Sequence, residues 1–448
     1  MSEALQQQVA QPEQSAPSAP RMETPEVYYD VGRKDYWIQN TRKAWITVNE
    51  TGLKRQMRDC GYSAKVHDGE RVSDLDQFLN VVQREFDVAY AGPLAGYQKG
   101  PVEMCGQRIL VTSSPKLITP LSGTCPVFTR LLQNMFPDIQ LIYLISWLKV
   151  AYESLRAGHR RPGQVLVLAG ERNSGKSLLQ NLITNILGGR VAKPYRYMSG
   201  RTAFNAELFG AEHLMIEDEA ASTNISARRD FGARIKDFTV NTVQSCHAKN
   251  RQAISLEPFW RVSVSLNDEP ENLLILPPFD ESLIDKVILL KVSKAPLPMP
   301  THTQKEREEF LQTLCAELPA FLGLLTRWEI PEHQKCERFG VRHFHHPELL
   351  EALNDLAPET KLMALIELAF QEGTFAESGF DATAEQLQML LLASPHSCEA
   401  KRLLDWTNAL GTYLGRLAKR HPDRVKYIRT STARAWRLEP PPPPPPVE

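Results

Sequence analysis

The sequence predicts an α/β core, preceded by an α+β domain and followed by a winged-helix domain. Three observations carry this fold class. First, a strand-like run at 165–169 leads through a glycine turn into 177–187, where Leu178, Leu179, Leu182, Ile183, Ile186 and Leu187 fall at helical spacing. Second, two later apolar runs, 214–216 and 262–266, each end on polar side chains, as strands of a buried sheet do when they reach a site. Third, three helical patterns near the carboxyl end precede two β-prone runs, the helix–helix–helix–hairpin order of a winged helix.

Composition sets the outer bounds. At 448 residues the chain has room for two to four domains, and 42% hydrophobic with 23% charged residues is ordinary for a globular protein. A net charge of −1 excludes a chain that is polycationic throughout, so any nucleic-acid contact has to come from local patches. Seven cysteines are scattered without a C-x-x-C, which points to a reducing compartment and away from a disulfide framework. No amino-terminal apolar segment reads as a signal peptide, and the longest apolar run, 141–150, is too short to span a bilayer. The expectation is a cytoplasmic protein, in the host cytoplasm if phage-encoded, with no membrane partner.

In chain order, residues 1–27, rich in Gln, Pro, Ser and Ala, form a disordered tail. An α+β domain follows over 28–125. Its elements are a hairpin of 36–38 and 44–48 around Asn40-Thr41, helices over 49–60 and 73–84, glycine turns over 88–100, and a β segment at 108–112. Residues 126–161 hold two helices broken at Pro137. Trp37, Trp45 and Trp147 read as core side chains rather than base-stacking platforms.

The central domain, 162–295, holds the chemistry. Gly170, Glu171, Arg172, Asn173, Ser174, Gly175, Lys176 and Ser177 spell G-x-x-x-x-G-K-S between strand and helix, the setting of a phosphate-binding loop. Glycines let backbone N–H groups turn around a polyanion, and the helix amino end adds partial positive charge. Lys176 then reaches the β- and γ-phosphates of ATP, and the Ser177 hydroxyl ligates Mg²⁺. This makes the core an α/β P-loop NTPase. The strand ending in Asp218-Glu219 supplies a second Mg²⁺ ligand, Asp218, and a residue that orients or deprotonates water, Glu219. Glu217 interrupts the apolar run and leaves a one-residue ambiguity there. Asn267 ends the next strand and either meets the γ-phosphate or simply opens a turn with Asp268. Between these strands, two β-prone runs flank His247, Lys249, Asn250 and Arg251. This hairpin tip is suited to phosphate-backbone contact, or else it is a solvated charged turn.

After the core comes a proline-rich linker at 296–300 and a helix over 304–328, within a linker and helical segment of 296–375. His333, Cys336, His343, His345 and His346 fit no zinc spacing and read as a structural turn before a helix starting at Glu348. The winged-helix domain, 376–439, is locally basic, with ten Lys/Arg against four Asp/Glu over 399–439. Arg416, Lys419 and Arg420, with Arg429 and Arg434 in the wing, offer contact to duplex DNA, or the domain docks protein through a solvated basic face. Seven prolines at 440–446, within the 440–448 tail, form a polyproline II rod, a spacer or a ligand for a polyproline-binding partner.

The trio of G-x-x-x-x-G-K-S, a strand ending Asp-Glu and a strand ending Asn, all within about 100 residues, resembles the superfamily 3 helicases. Ala91-Gly-Pro-Leu-Ala-Gly96, Arg108-Ile-Leu-Val-Thr112, Pro120-Leu-Ser-Gly123, Trp147-Leu-Lys149 and Arg342-His-Phe-His-His-Pro-Glu348 look like phage and large-virus primase-helicases, so the likeness covers 28–350. The resemblance implies an AAA+-like ATPase that forms a hexameric ring and moves along single-stranded DNA, with forked duplex as substrate. It also implies a cation supplied to the neighbour's ATP. Lys286 stands where an arginine is usual, so that residue is Lys286, Arg261 or another. The first 160 residues hold no primase acidic pair with a downstream histidine, so primer synthesis implies a separate primase. The reading is therefore an ATP- and Mg²⁺-dependent DNA helicase for replication of a phage or mobile element. The alternatives are an ATP-controlled replication initiator without unwinding and, more distantly, a defence or packaging ATPase.

Overall fold

The computed structural model describes residues 25–217, 225–376, 378–429 and 434–441. They group into two units, one of residues up to 114 together with 245–257, the other of 115–244 with 258 onward. The first unit closes before the expected boundary at 125 and takes in the 245–257 hairpin, which the sequence reading placed in the central domain.

In the first unit the strands Val27–Asp30, Asp35–Gln39 and Trp45–Val48 run antiparallel, and Asp87–Val88 adds a parallel edge. Tyr36 and Ile38 on the middle strand face Leu53 and Met57 of the Glu50–Asp59 helix and Leu75, Leu79 and Val82 of the Asp74–Glu85 helix. Both helices begin where a side chain satisfies a backbone N–H: Gly52 donates to Asn49 (2.8 Å) and Asp76 to Ser73 (3.1 Å). A three-stranded sheet of Tyr90–Gly92, Gln107–Val111 and Gly100–Met104 completes this part. The Gln244–Cys246 and Ile254–Leu256 strands form the expected hairpin, and the Glu257 N–H points at the Met104 sulfur, 3.1 Å away. Trp37 and Trp45 are buried, as expected of core residues.

The second unit is built on a parallel sheet in the order Val287–Val292, Val165–Gly170, Arg261–Leu266, His213–Glu217, Val191–Ala192. Every residue of the two central strands is buried, since helices cover both faces, so an apolar run and not an alternating one encodes them. The Pro126–Met135 and Asp138–Ala157 helices break at Pro137 as expected and pack with Gln304–Arg327, where Phe128 and Phe321 meet at 4.2 Å between ring centroids. Cys125 offers no cap to the first helix. Glu317 reaches across instead and accepts from the N–H groups of Val127 (3.2 Å) and Phe128 (2.7 Å). No helix among the described residues is long and apolar enough to cross a membrane.

The histidine-rich stretch does more than turn. Residues 344–346 run along Val287–Val292 as a further edge: the Leu289 N–H donates to Phe344 O (2.7 Å) and the His346 N–H to Leu289 O (2.9 Å). His345 Nε2 bonds Val287 O at 3.1 Å, and burial pushes its pKa down to about 4, so the ring is neutral. Pro347 then opens the Pro347–Asp355 helix.

At the carboxyl end the Ala384–Ala393, Ser397–Leu403 and Ala409–Arg420 helices precede the Val425–Arg429 and Arg434–Leu438 hairpin. Phe380–Ala382, which the sequence reading did not foresee, pairs with Arg434–Leu438. The bundle's core also includes Leu362, Ile366 and Phe370 of the Pro358–Gln371 helix, so its packing begins well before residue 376. Residues 1–24, 430–433 and 442–448, the last within the expected proline tail, lie outside the described residues.

Candidate functional site

The glycine loop emerges from the carboxyl end of Val165–Gly170 and enters the Lys176–Ile186 helix. Two glycines are required by geometry. A Cβ on Gly170 would lie 2.3 Å from Val292 O of the adjoining strand, and Gly175 caps the helix at φ +89°. Lys176 folds back over the loop and is buried. Its Nζ donates to Gly170 O and Glu171 O (both 2.8 Å), with Ser174 Oγ at 3.4 Å and Asn267 Oδ1 at 3.2 Å. Ser177 is exposed at the second helical position, and Glu171, Arg172 and Asn173 are exposed around the loop, Glu171 facing Lys294 at 3.5 Å.

Sheet order explains how Asn267 reaches Lys176 across 91 residues of chain. Arg261–Leu266 lies beside the glycine-loop strand with Leu266 opposite Ala169, so the next residue falls at the loop. His213–Glu217 lies on the other side of that strand, with Glu217 opposite Ser265, and Glu217 forms an ion pair with Lys193. Asp218 and Glu219 lie outside the described residues. Three strands thus end at one place, the carboxyl edge where open α/β sheets hold ligands.

Behind this edge runs a buried polar network that no sequence motif marks. Gln180, one helical turn beyond Ser177, donates through Nε2 to Ser263 Oγ (2.7 Å) and Ile216 O (3.2 Å). His213 joins Thr184 Oγ1 through Nδ1 and Ser263 Oγ through Nε2, both at 2.7 Å. Burial, aided by the Lys193 charge, pushes the His213 pKa down to about 3, so the ring is a neutral bridge. The signal was present in the sequence: Gln180 and Thr184 interrupt an apolar helix, and Ser263 interrupts an apolar strand.

The two named candidates for a finger residue sit elsewhere. Lys286 precedes Val287–Val292, whose first residue pairs with Val165, so it lies at the amino end of the sheet, roughly 15–20 Å of strand from its own glycine loop. It is largely buried and pairs with Asp285 at 2.6 Å. Arg261 begins its strand at the same end, donating to Trp260 O and Arg161 O (both 2.9 Å), and burial lowers its pKa to about 9. Arg261 is thereby committed to the interior.

The basic candidates divide. At the hairpin tip Lys249, Asn250 and Arg251 are exposed, His247 is half-buried, and Asn250 takes φ +60°, as a tight turn requires. In the carboxy-terminal bundle Lys419 is exposed, whereas Arg416 and Arg420 face the buried Glu359 at 3.5 and 3.4 Å. Among the described residues no group of three or more His, Cys, Asp or Glu gathers to hold a metal.

Residues 168–281, from the glycine loop past Asn267, match the model of a family of unknown function, DUF5906. No curated protein matches the chain. Among solved structures, the apo structure of the NrS-1 C-terminal region is similar at TM-score 0.55 and 12% identity over 92% of this chain and 95% of that one. Its A form gives 0.53 and 13% over 93% and 97%. JCV helicase overlaps at TM-score 0.24 and 14% identity, over 53% of this chain and 66% of that one, which is too loose to carry an argument. The chain shares its fold with the NrS-1 C-terminal region: a parallel sheet covered by helices.

Proposed function

We propose that this chain is an ATP- and Mg²⁺-dependent DNA helicase or translocase of phage or mobile-element replication, working as a homo-hexameric ring on single-stranded and forked DNA. The observation that carries the reading is Lys176 Nζ, bonded at once to the glycine-loop carbonyls and to Asn267 Oδ1. A lysine poised between a loop of backbone N–H groups and an amide on the neighbouring strand can transfer to a γ-phosphate, and Asn267 can follow it.

Ser177 would supply Mg²⁺ with a hydroxyl and Asp218 with a carboxylate, both hard oxygen donors. Bound there, Mg²⁺ would offset negative charge on the β- and γ-phosphates. Glu219 would orient water, and the Gln180–Ser263–His213 network would hold the helix in register with the two strands. Lys286, remote from its own loop, would act on a neighbouring subunit's ATP. The exposed tip of Lys249, Asn250 and Arg251, with His247, would contact the strand. A separate primase and a partner for the proline tail complete the proposal.

Lys176→Ala tests it directly. ATP turnover and strand displacement should fall by at least ~10²-fold while the thermal transition stays cooperative. ATP turnover at the wild-type rate would refute the assignment. A second reading, an ATP-controlled initiator that does not unwind, is supported by the strand–three-helix–hairpin order of the carboxy-terminal bundle, an order that winged helices also use. ATP-stimulated duplex binding without displacement of a forked substrate would favour it.

A further inference from the structure

Where the Ile225–Val240 helix meets the carboxy-terminal bundle, the second unit encloses a cleft of 340 Å³. Arg228, Arg229 and Lys236 from the helix and Arg416 from the bundle line it, against one carboxylate, Asp280. Its floor is apolar, made of three prolines with Leu283 and Tyr413. The positive charge is only partly offset: the buried carboxylate of Glu359 acts on Arg228 as well as facing Arg416 and Arg420. Arg228 is less than a tenth exposed, yet its guanidinium donates to a neutral oxygen, Leu276 O, through Nε (3.2 Å) and Nη2 (2.8 Å). Arg229 lies over the Trp406 ring at 4.1 Å. Arg416 shares the single carboxylate of Glu359 with Arg420. Three arginines thus depend on one buried carboxylate, and an anion entering the cleft would be favoured by the excess positive charge.

We infer that this cleft binds a phosphorylated nucleoside unit, its ring against the proline floor and its phosphate at Arg228, Arg229 and Lys236. The volume lies at the small end of the range for ligand pockets, ~300–1,000 Å³, which suits one such unit and not a partner helix. Guanidinium forks match phosphate oxygens in pairs, and apolar lining with a tyrosine ring favours a planar ring over the side chain of an acidic peptide. The unit comes either from a free nucleotide or from a DNA strand. The chemistry is the same for both, and neither involves the glycine loop.

The test uses the full chain without ATP, with a fluorescent oligo-dT probe and with deoxyadenosine monophosphate, each across a salt series. Arg229→Ala/Lys236→Ala avoids the Glu359 pair, so thermal unfolding should hold. If a strand occupies the cleft, oligo-dT binding weakens and its log–log salt slope becomes shallower by about 1.4, at ~0.7 per lost cation. If a free nucleotide occupies it, monophosphate binding is lost while oligo-dT binding is unchanged. Should the double variant unfold early, Lys236→Ala alone should show half the slope change or the same selective loss. Binding of both probes as in wild type, or equal displacement of both by a polyglutamate peptide, would overturn the inference. Lys176→Ala should leave probe binding at the cleft intact even as ATP turnover is lost, which separates this site from the glycine loop.

Discussion

The glycine loop and the carboxy-terminal bundle both present basic side chains, and they hold them in different ways. Among the partners of Lys176 are the carbonyls of Gly170 and Glu171 and the amide of Asn267, oxygens that orient the ammonium at the mouth of the loop. Arg416 and Arg420 face Glu359, a carboxylate only 1% exposed. There the charge is used in keeping a buried anion tolerable. A basic residue on a helix face is therefore not by itself a nucleic-acid contact. What decides is whether the fold has already supplied its counter-ion.

Removing the counter-ions of Glu359 should give the largest effect. Arg416→Ala/Arg420→Ala removes two of the cations around a buried carboxylate and leaves only the longer-range charge of Arg228, a change that costs ~3–5 kcal/mol when pairs are fully buried. The guanidiniums here are 38% and 32% exposed, so a loss near the bottom of that range is expected in chemical denaturation. Adding Glu359→Gln should restore most of it. Unchanged stability in the double variant would return both arginines to the pool of DNA contacts.

Next in size is acid sensitivity within the core. The folded pKa of His213 is about 3, below its ordinary 6.5, so its contribution is intact above pH 6.5 and is lost as pH falls below that value. The expected slope is at most ~1.4 kcal/mol per pH unit, and His213→Gln should flatten it in denaturation curves taken from neutral pH to about pH 4. If the two proteins show parallel pH profiles, the buried ring is not the sensitive group.

Gln180→Leu should lower stability by about 1 kcal/mol and reduce kcat for ATP hydrolysis with little change in KM. A rise in KM alone would mean that Gln180 shapes nucleotide binding rather than the register between helix and strands. The smallest effect belongs to Lys419, which has no buried carboxylate to serve. Lys419→Ala should shift stability by less than ~0.5 kcal/mol. In duplex binding it should make the salt slope shallower by about 0.9. An unchanged slope would remove Lys419 from the interface.

Much of this was legible in the chain. Strand, loop and helix at 165–187, the break at Pro137, the long helix after the linker and the carboxy-terminal helices followed by a hairpin all appear where periodicity and turn residues put them. Those elements are fixed by local patterns a few residues long. The partners of Arg416, the extra strand at 344–346, the early start of the bundle at 358 and the membership of the 245–257 hairpin were not legible, because each depends on residues distant in sequence. Gln180 lies between these cases: its polarity within an apolar helix was visible, but Ser263 and Ile216 as partners were not.

Local sequence was enough to specify a glycine turn between a strand and a helix, and with it a candidate phosphate cradle, because backbone freedom, capping and spacing act over single turns of chain. It could not specify which cations remain available to a ligand. That depended on the order of strands in the sheet and on which helix packs against which, since a charge becomes structural or functional according to the oxygen that folding brings to it.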